Sequence, residues 1–312
     1  MASHRASVVK DAWRVWALRL LLALGLLAVL HAMPVWLPLQ RLEYDLLNSL
    51  TAPVRPDASV LVVGLDEPSL AALNLAPPLP RRLHAQLVDA MAAAGTAALG
   101  IDMLFAAPQS PADDAALAQA LQGRMPVVLA SADVVMQSSQ VAQYRQTVPT
   151  VFPQARHGSV ALQVDDDGVL RRAPAQDDAL WRVLAHSAGR QVMPPPPGAL
   201  LRFYAPEVPL PYAHYTQAMD PTGTLPPGAL QGRLVLLGQN TPVDSVDQFV
   251  TPLRELGGGT QSGVFVHATA LINGLTGDWI VPAHPAGPIL QAVLAMGVAA
   301  GRQVRGDRAG RA

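Results

Sequence analysis

Residues 80–105 read Pro80-Arg-Arg-Leu-His-Ala-Gln-Leu-Val-Asp-Ala-Met-Ala-Ala-Ala-Gly-Thr-Ala-Ala-Leu-Gly-Ile-Asp-Met-Leu-Phe105, and the fold turns on them. Pro80 and Arg81 open a helix, where proline is tolerated because the first amides have no partner inside the helix. Leu83, Leu87, Ala90, Met91 and Ala94 come at steps of three and four and draw one apolar stripe. Gly95 suits the C′ position, which calls for a positive φ without a Cβ penalty. Ala97 to Leu104 is then apolar apart from Asp102, the pattern of a strand covered on both faces. Upstream, Ser59-Val-Leu-Val-Val-Gly-Leu65 is a similar run that ends on Asp66 and Glu67. Strand, helix and strand make a βαβ unit and predict an α/β fold with a mostly parallel, buried sheet and flanking helices.

The 312 residues are 14% charged, against about 25% in ordinary soluble domains, and 50% hydrophobic. That deficit points to membrane segments and a large core. A formal net charge of -1 offers nucleic acid no attraction, so none is expected as a partner. The absence of cysteine excludes disulfides, zinc–thiolate sites and cysteine nucleophiles. Gly257 to Gly259 lack a Gly-Lys-Ser/Thr after them, His214 and His267 stand alone, and no Gly-x-Ser-x-Gly elbow is present. No catalytic residue, metal or other cofactor is expected, and the chain does not read as an enzyme.

Toward the N-terminus, residues 1–19 carry Arg5, Lys10, Arg14 and Arg19 against Asp11 and read as a cytoplasmic basic N-terminus. Residues 20–39 hold no charged side chain and read as a transmembrane anchor, with Trp13, Trp16 and Trp36 near its ends. The basic flank places the chain beyond residue 39 outside the inner membrane. A cleaved signal peptide competes with this reading, but Leu30 to Met33 lack a small-x-small site.

Residues 40–279 are then the extracytoplasmic domain. An amphipathic helix over Arg41 to Asn48 leads through a proline linker into the βαβ unit. A helix over Pro111 to Gln122, a strand over Pro126 to Ala130 and a polar surface excursion from Asp133 to Pro153 come next. Asp165-Asp-Asp-Gly168 between two apolar runs predicts a β-hairpin. A helix over Asp178 to Gly189, strands over Ala199 to Tyr204 and Arg233 to Gly238, a loop from Gln239 to Gly263 and a helix over Val264 to Leu275 complete the domain. Residues 280–301 read as a second membrane segment, interrupted by Pro282, Pro285 and Pro288, and 302–312 as a basic tail.

Asp66, Arg81, His84 and Asp102 fall where ligands bind in open α/β sheets, outside the carboxyl ends of the strands and beside a helix N-terminus. They are the first candidate binding set. A structural Asp66–Arg81 pair, with His84 as a capping donor, is the competing role. Asp244, Asp247 and Thr251 offer oxygens to a calcium ion, yet lack the every-second-residue spacing of a calcium loop, so loop capping competes there.

Eight segments stand out in order, beginning with Val62-Val-Gly-Leu-Asp-Glu-Pro-Ser-Leu70, Pro80-Arg-Arg-Leu-His-Ala85, Ala94-Gly-Thr-Ala-Ala-Leu-Gly-Ile-Asp-Met-Leu-Phe105 and Asp114-Ala-Ala-Leu-Ala118. Asp167-Gly-Val-Leu-Arg-Arg172, Leu234-Val-Leu-Leu-Gly238, Asp247-Gln-Phe-Val-Thr-Pro252 and Gly263-Val-Phe-Val-His-Ala268 come after them. The order of these segments resembles the CHASE type-two domain, an extracytoplasmic sensory module of bacterial adenylate cyclases, histidine kinases and serine/threonine kinases. The resemblance places Asp66, Arg81, His84, Asp102, Asp247 and His267 on recurring polar positions; Asp247, Thr251 and His267 are the secondary candidates. It implies a membrane-anchored input domain, an unknown extracytoplasmic ligand or protein partner, a homodimer, and a cyclase or kinase output. It also implies further helices and an output domain beyond Ala312, so the Arg/Gly/Ala-rich tail is expected to mark an interrupted reading frame. Ala76-Pro-Pro-Leu79 replaces the tryptophans usual before Arg81. An envelope assembly protein, or a metal-assisted hydrolase using Asp66, Asp102 and Asp247, is the alternative.

Overall fold

The computed structural model describes residues 14–26, 28–29, 36–53, 57–136, 144–148, 151–204, 210–241, 247–254 and 259–282. Contacts divide the chain into two units, residues 1–44 with 282–312 and residues 45–281. In the first, residues 14–26 and 28–29 are helical. The expected 20–39 anchor is thus described only in part, and no helix among the described residues is long and apolar enough to cross a membrane. Residues 283–301, Asp244, Gly257 and the basic tail lie outside the described residues.

Helix α1 (Trp36–Leu50) crosses the unit boundary and leads into the second unit, whose elements alternate as the apolar runs dictate. Strand β1 (Val60–Asp66) is followed by α2 (Glu67–Leu73), α3 (Arg81–Ala93), β2 (Ala98–Asp102) and α4 (Pro111–Ala120). Next come β3 (Val127–Met136), β4 (Tyr144–Val148), β5 (Arg156–Ser159) and α5 (Leu180–Ser187). Then β6 (Tyr212–His214), α6 (Tyr215–Met219), α7 (Pro221–Thr224), β7 (Leu234–Asn240), β8 (Gln248–Val250), β9 (Thr260–Ser262) and α8 (Gly263–Thr276) complete the order.

Six strands pair parallel in the order β5-β3-β2-β7-β1-β6, and β4 extends β3 antiparallel. The strands alternate between two apolar layers. Val60, Val62, Leu234 and Leu236 face α5 and α8, whereas Leu61, Val63, Val235 and Leu237 face α3, α4 and α6. Helices therefore cover both faces, which is why the central strands read as unbroken apolar runs.

Four expectations are corrected. The βαβ unit exists, but β7 lies between β1 and β2, an order that apolar runs cannot encode. The excursion from Asp133 to Pro153 carries the second half of β3 and all of β4. The hairpin shrinks to one antiparallel bridge, Val164 to Leu170, around a turn with Gly168 at φ 81°; β5 instead joins β3 in parallel. Residues 199–204 form no strand but an extended strap fixed by single bridges from Leu200 to Arg172 and Ile280.

That strap joins the entry and exit of the second unit. The Phe203 amide donates to Asn48 Oδ1 on α1, and Arg202 donates to the Thr51 carbonyl. Leu200 and Ile280 exchange both backbone hydrogen bonds, and Arg202 pairs with Asp278 at 2.9 Å. Leu201 donates to the carbonyl of Arg171, whose buried guanidinium forks onto Asp45 of α1 at 2.7 and 2.8 Å. The same guanidinium holds Asp165 and Asp167 of the turn, so the acidic triplet is partly an ion-pair partner as well as a turn.

Candidate functional site

A cleft of about 790 Å³ opens where β2 ends. Its size suits a small organic ligand. Leu65, Asp102 and Gln239 come from the strand ends, Arg81 and His84 from the start of α3, and Asp247 from the segment entering β8. Pro77 and Pro78 bring the preceding loop to the rim. The sheet register explains the neighbourhood: Asp102 lies beside Gly238, and Gly238 beside Gly64. A Cβ on Gly238 would sit 2.5 Å from Val264 Cβ, so glycine there lets α8 press against the strand end.

Arg81 is a wall element. Its Nη1 donates to Asp114 Oδ1 at 2.5 Å, and its Nη2 donates to the Ala107 carbonyl. The guanidinium also lies over the rings of Phe105 and Phe152 at 5.3 and 5.1 Å. These contacts pin the loop after β2 against α4. The expected Asp66–Arg81 pair is absent because each side chain has nearer partners.

His84 does not cap the helix either. Its Nδ1 shares a 2.9 Å hydrogen bond with Tyr215 Oη, and its ring meets Phe105 and Tyr215 edge-on. Burial, reinforced by the Arg81 charge, lowers its pKa to about 4, so the imidazole is neutral at physiological pH.

Asp102 stands differently. Its Oδ2 is closed off from water and has no hydrogen-bond partner among the described residues. Burial alone raises its pKa to about 7. Few buried polar groups are left unpaired in folded proteins, and those that are call for an explanation.

Asp66 lies outside the cleft. Its Oδ1 accepts from the Ser69 amide and hydroxyl, capping α2, and its Oδ2 accepts from Tyr212 Oη at 2.6 Å and meets His214 Nδ1 at 2.5 Å. Burial pushes its pKa up, but the hydrogen bonds from Ser69, Tyr212 and His214 outweigh it and leave the carboxyl below its usual range. Tyr212 reaches Asp66 across Gly64, where a Cβ would collide with the phenol oxygen. From Tyr212 the hydrogen bonds run on through Asn240 and Ser262 to Gln248 along the sheet edge.

The secondary candidates do not converge. Asp247 lines the cleft, its carboxylate packed against Gly263 at the start of α8. Thr251 and His267 are buried away from it, and Thr251 Oγ1 and His267 Nδ1 have no hydrogen-bond partner among the described residues. Burial lowers the His267 pKa to about 4. Among the described residues no three acidic or histidine side chains are grouped to hold a metal ion, and Asp66 is outside the cleft that Asp102 and Asp247 line. Sequence reasoning missed Tyr212, His214, Tyr215 and Asp114. Gly64 inside an apolar strand was the available sign that something crosses there.

A parallel sheet covered by helices on both faces, with a cleft at its carboxyl edge, defines an open α/β architecture. The model of the CHASE2 domain family matches residues 20–301, and the chain belongs to that family. CHASE2 domains are extracellular sensory domains of signalling proteins. No curated protein and no solved structure matches the chain.

Proposed function

We propose that this chain is the membrane-anchored, extracytoplasmic input module of a signalling receptor, which takes a ligand into the cleft beside Asp102 and relays its binding to a cyclase or kinase output. The carrying observation is an Asp102 carboxyl whose Oδ2 has no hydrogen-bond partner among the described residues, in an open cleft at the carboxyl edge of a parallel sheet. Residues 20–39 and 280–301 are the segments through which the signal passes the inner membrane, and a homodimer is the expected assembly. The strap at 199–204 supports this reading, because it ties Asn48 and Thr51 on one side and Asp278 and Ile280 on the other. Movement of the strap would displace both flanking segments together. The ligand must favour one of two arrangements of that joint, since equal binding to both transmits nothing.

The cysteine-free sequence makes the placement directly testable. A single cysteine at exposed Gln122 should react with a membrane-impermeant maleimide in intact spheroplasts, whereas one at Ala2 should react only after lysis. Labelling of Gln122→Cys only after lysis would overturn the extracytoplasmic assignment.

A further inference from the structure

We infer that the cleft selects a small organic ammonium ion with an apolar body, its nitrogen held by the carboxylate of Asp102. This rests on the reading of the cleft as the ligand site. It comes from which charges in the wall are already matched. The Arg81 guanidinium is engaged by Asp114 and the Ala107 carbonyl, and lies over two phenyl rings. His84 is held neutral and bonded to Tyr215. His84 carries no charge and the Arg81 charge is balanced by Asp114, so an anionic ligand would gain only the buried Arg81 Nε donor and would meet the Asp102 carboxyl. A neutral ligand would leave Asp102 either protonated or charged without a counterion. A cationic nitrogen supplies both the missing counter-charge and the missing hydrogen-bond donor.

The rest of the wall fixes the ligand's other end. Pro77, Pro78, Leu79, Leu104, Phe105 and Val160 are apolar and border the same space. They suit a hydrocarbon or aromatic body rather than a polyamine, whose further charges would be stranded against them.

Binding is then linked to proton release, because Asp102 must ionise to hold the cation. The groups facing it are Arg81 and His84 of α3 and Asp247 before β8. His84 titrates near 4, well below the window in which Asp102 ionises. Affinity should therefore rise about tenfold from pH 6 to pH 8, while the amine stays protonated.

The test is calorimetric titration of the full chain in zwitterionic nanodiscs with phenethylamine, phenethyl alcohol and 3-phenylpropionate. Phenethylamine should bind more tightly than its neutral and anionic counterparts, and Asp102→Asn should weaken it at least tenfold and abolish the pH dependence. Equal binding of phenethyl alcohol, or an unchanged dissociation constant in the variant, overturns the inference. So does pH-independent binding to the unaltered chain, which needs no variant to fold. Leu104→Trp, which fills the cleft from a partly exposed position, separates the ligand class from the existence of the site. If only 3-phenylpropionate binds and Leu104→Trp blocks it, the cleft remains a ligand site and the ammonium assignment alone falls. If none of the three binds, both readings fall.

Discussion

Asp66 and Asp102 each end a strand of the same parallel sheet, with only β7 between their strands, yet their surroundings are opposite. Asp66 receives donors from Ser69 twice, from Tyr212 and from His214, and its acid is strengthened despite burial. Asp102 Oδ2 receives none among the described residues, and burial weakens its acid to a pKa of about 7. A buried carboxylate surrounded by donors is a structural joint, because each donor depends on it. A carboxyl whose closed-off oxygen has no donor subtracts from stability, because nothing replaces the water it gave up. Burial alone does not separate the two roles; partner count does.

Asp66→Ala should have the largest effect. It removes the cap of α2 and takes the acceptor from the Tyr212 hydroxyl, which keeps only its bond from Asn240, and from the partly exposed His214 ring, so a loss of about 2–3 kcal/mol is expected. Urea unfolding followed by the fluorescence of buried Trp181 measures it. A loss below about 1 kcal/mol would show that the four donors find water instead.

Asp102→Asn should do the reverse, and its sign depends on pH. For an acid with a raised pKa, the native state keeps a proton that the unfolded chain has released between roughly pH 4 and pH 7. The stability it lends therefore falls as pH rises through that window. The variant should match the unaltered protein near pH 4 and exceed it at about pH 8 by on the order of 2–3 kcal/mol. His84 and His267, whose pKa values are both lowered to about 4, are common to both proteins and cancel in the difference. Asp66 runs the other way. Its support is full above the ordinary carboxylate range and disappears as pH falls through its lowered pKa. A pH-independent difference between Asp102→Asn and the parent would place Asp102 in water.

The two acids were indistinguishable in the sequence, and the reason is physical. Apolar runs set by burial on both faces made β1, α3, β2, α4, β7 and α8 legible, because periodicity is a local property of the chain. Strand order is not local: nothing in the Arg233 to Gly238 run says that it slips between β1 and β2. The partners that decide the site are equally remote. His214 and Tyr212 lie 148 and 146 residues from Asp66, and Asp114 lies 33 residues from Arg81. Asp66 and Arg81 therefore looked like natural partners across one short loop, until the fold supplied each with others.

Tyr215→Phe probes the middle case, a buried polar group with a single partner. His84 Nδ1 would lose its bond to the phenol while the ring packing against Phe105 persists. A cost of about 1–2 kcal/mol is expected, and His84→Ala made in the same background should then be less damaging than alone. Additive losses would mean that the two side chains do not depend on each other.

Arg82 sets the lower limit, because it has a partner but little burial. Its guanidinium pairs with Asp113 at 3.2 Å with the side chain 57% exposed, while the neighbouring Arg81, 3% exposed, pairs with Asp114 on the same helix. Water already solvates most of the Arg82 charge and recovers it when the pair is broken. Arg82→Ala should thus cost about 0.5 kcal/mol or less, and the cost should shrink further in molar salt as the pair is screened. A salt-insensitive loss of about 1 kcal/mol or more would show that partner count acts without burial, and the contrast between Asp66 and Asp102 would then need burial and partners to be weighed separately.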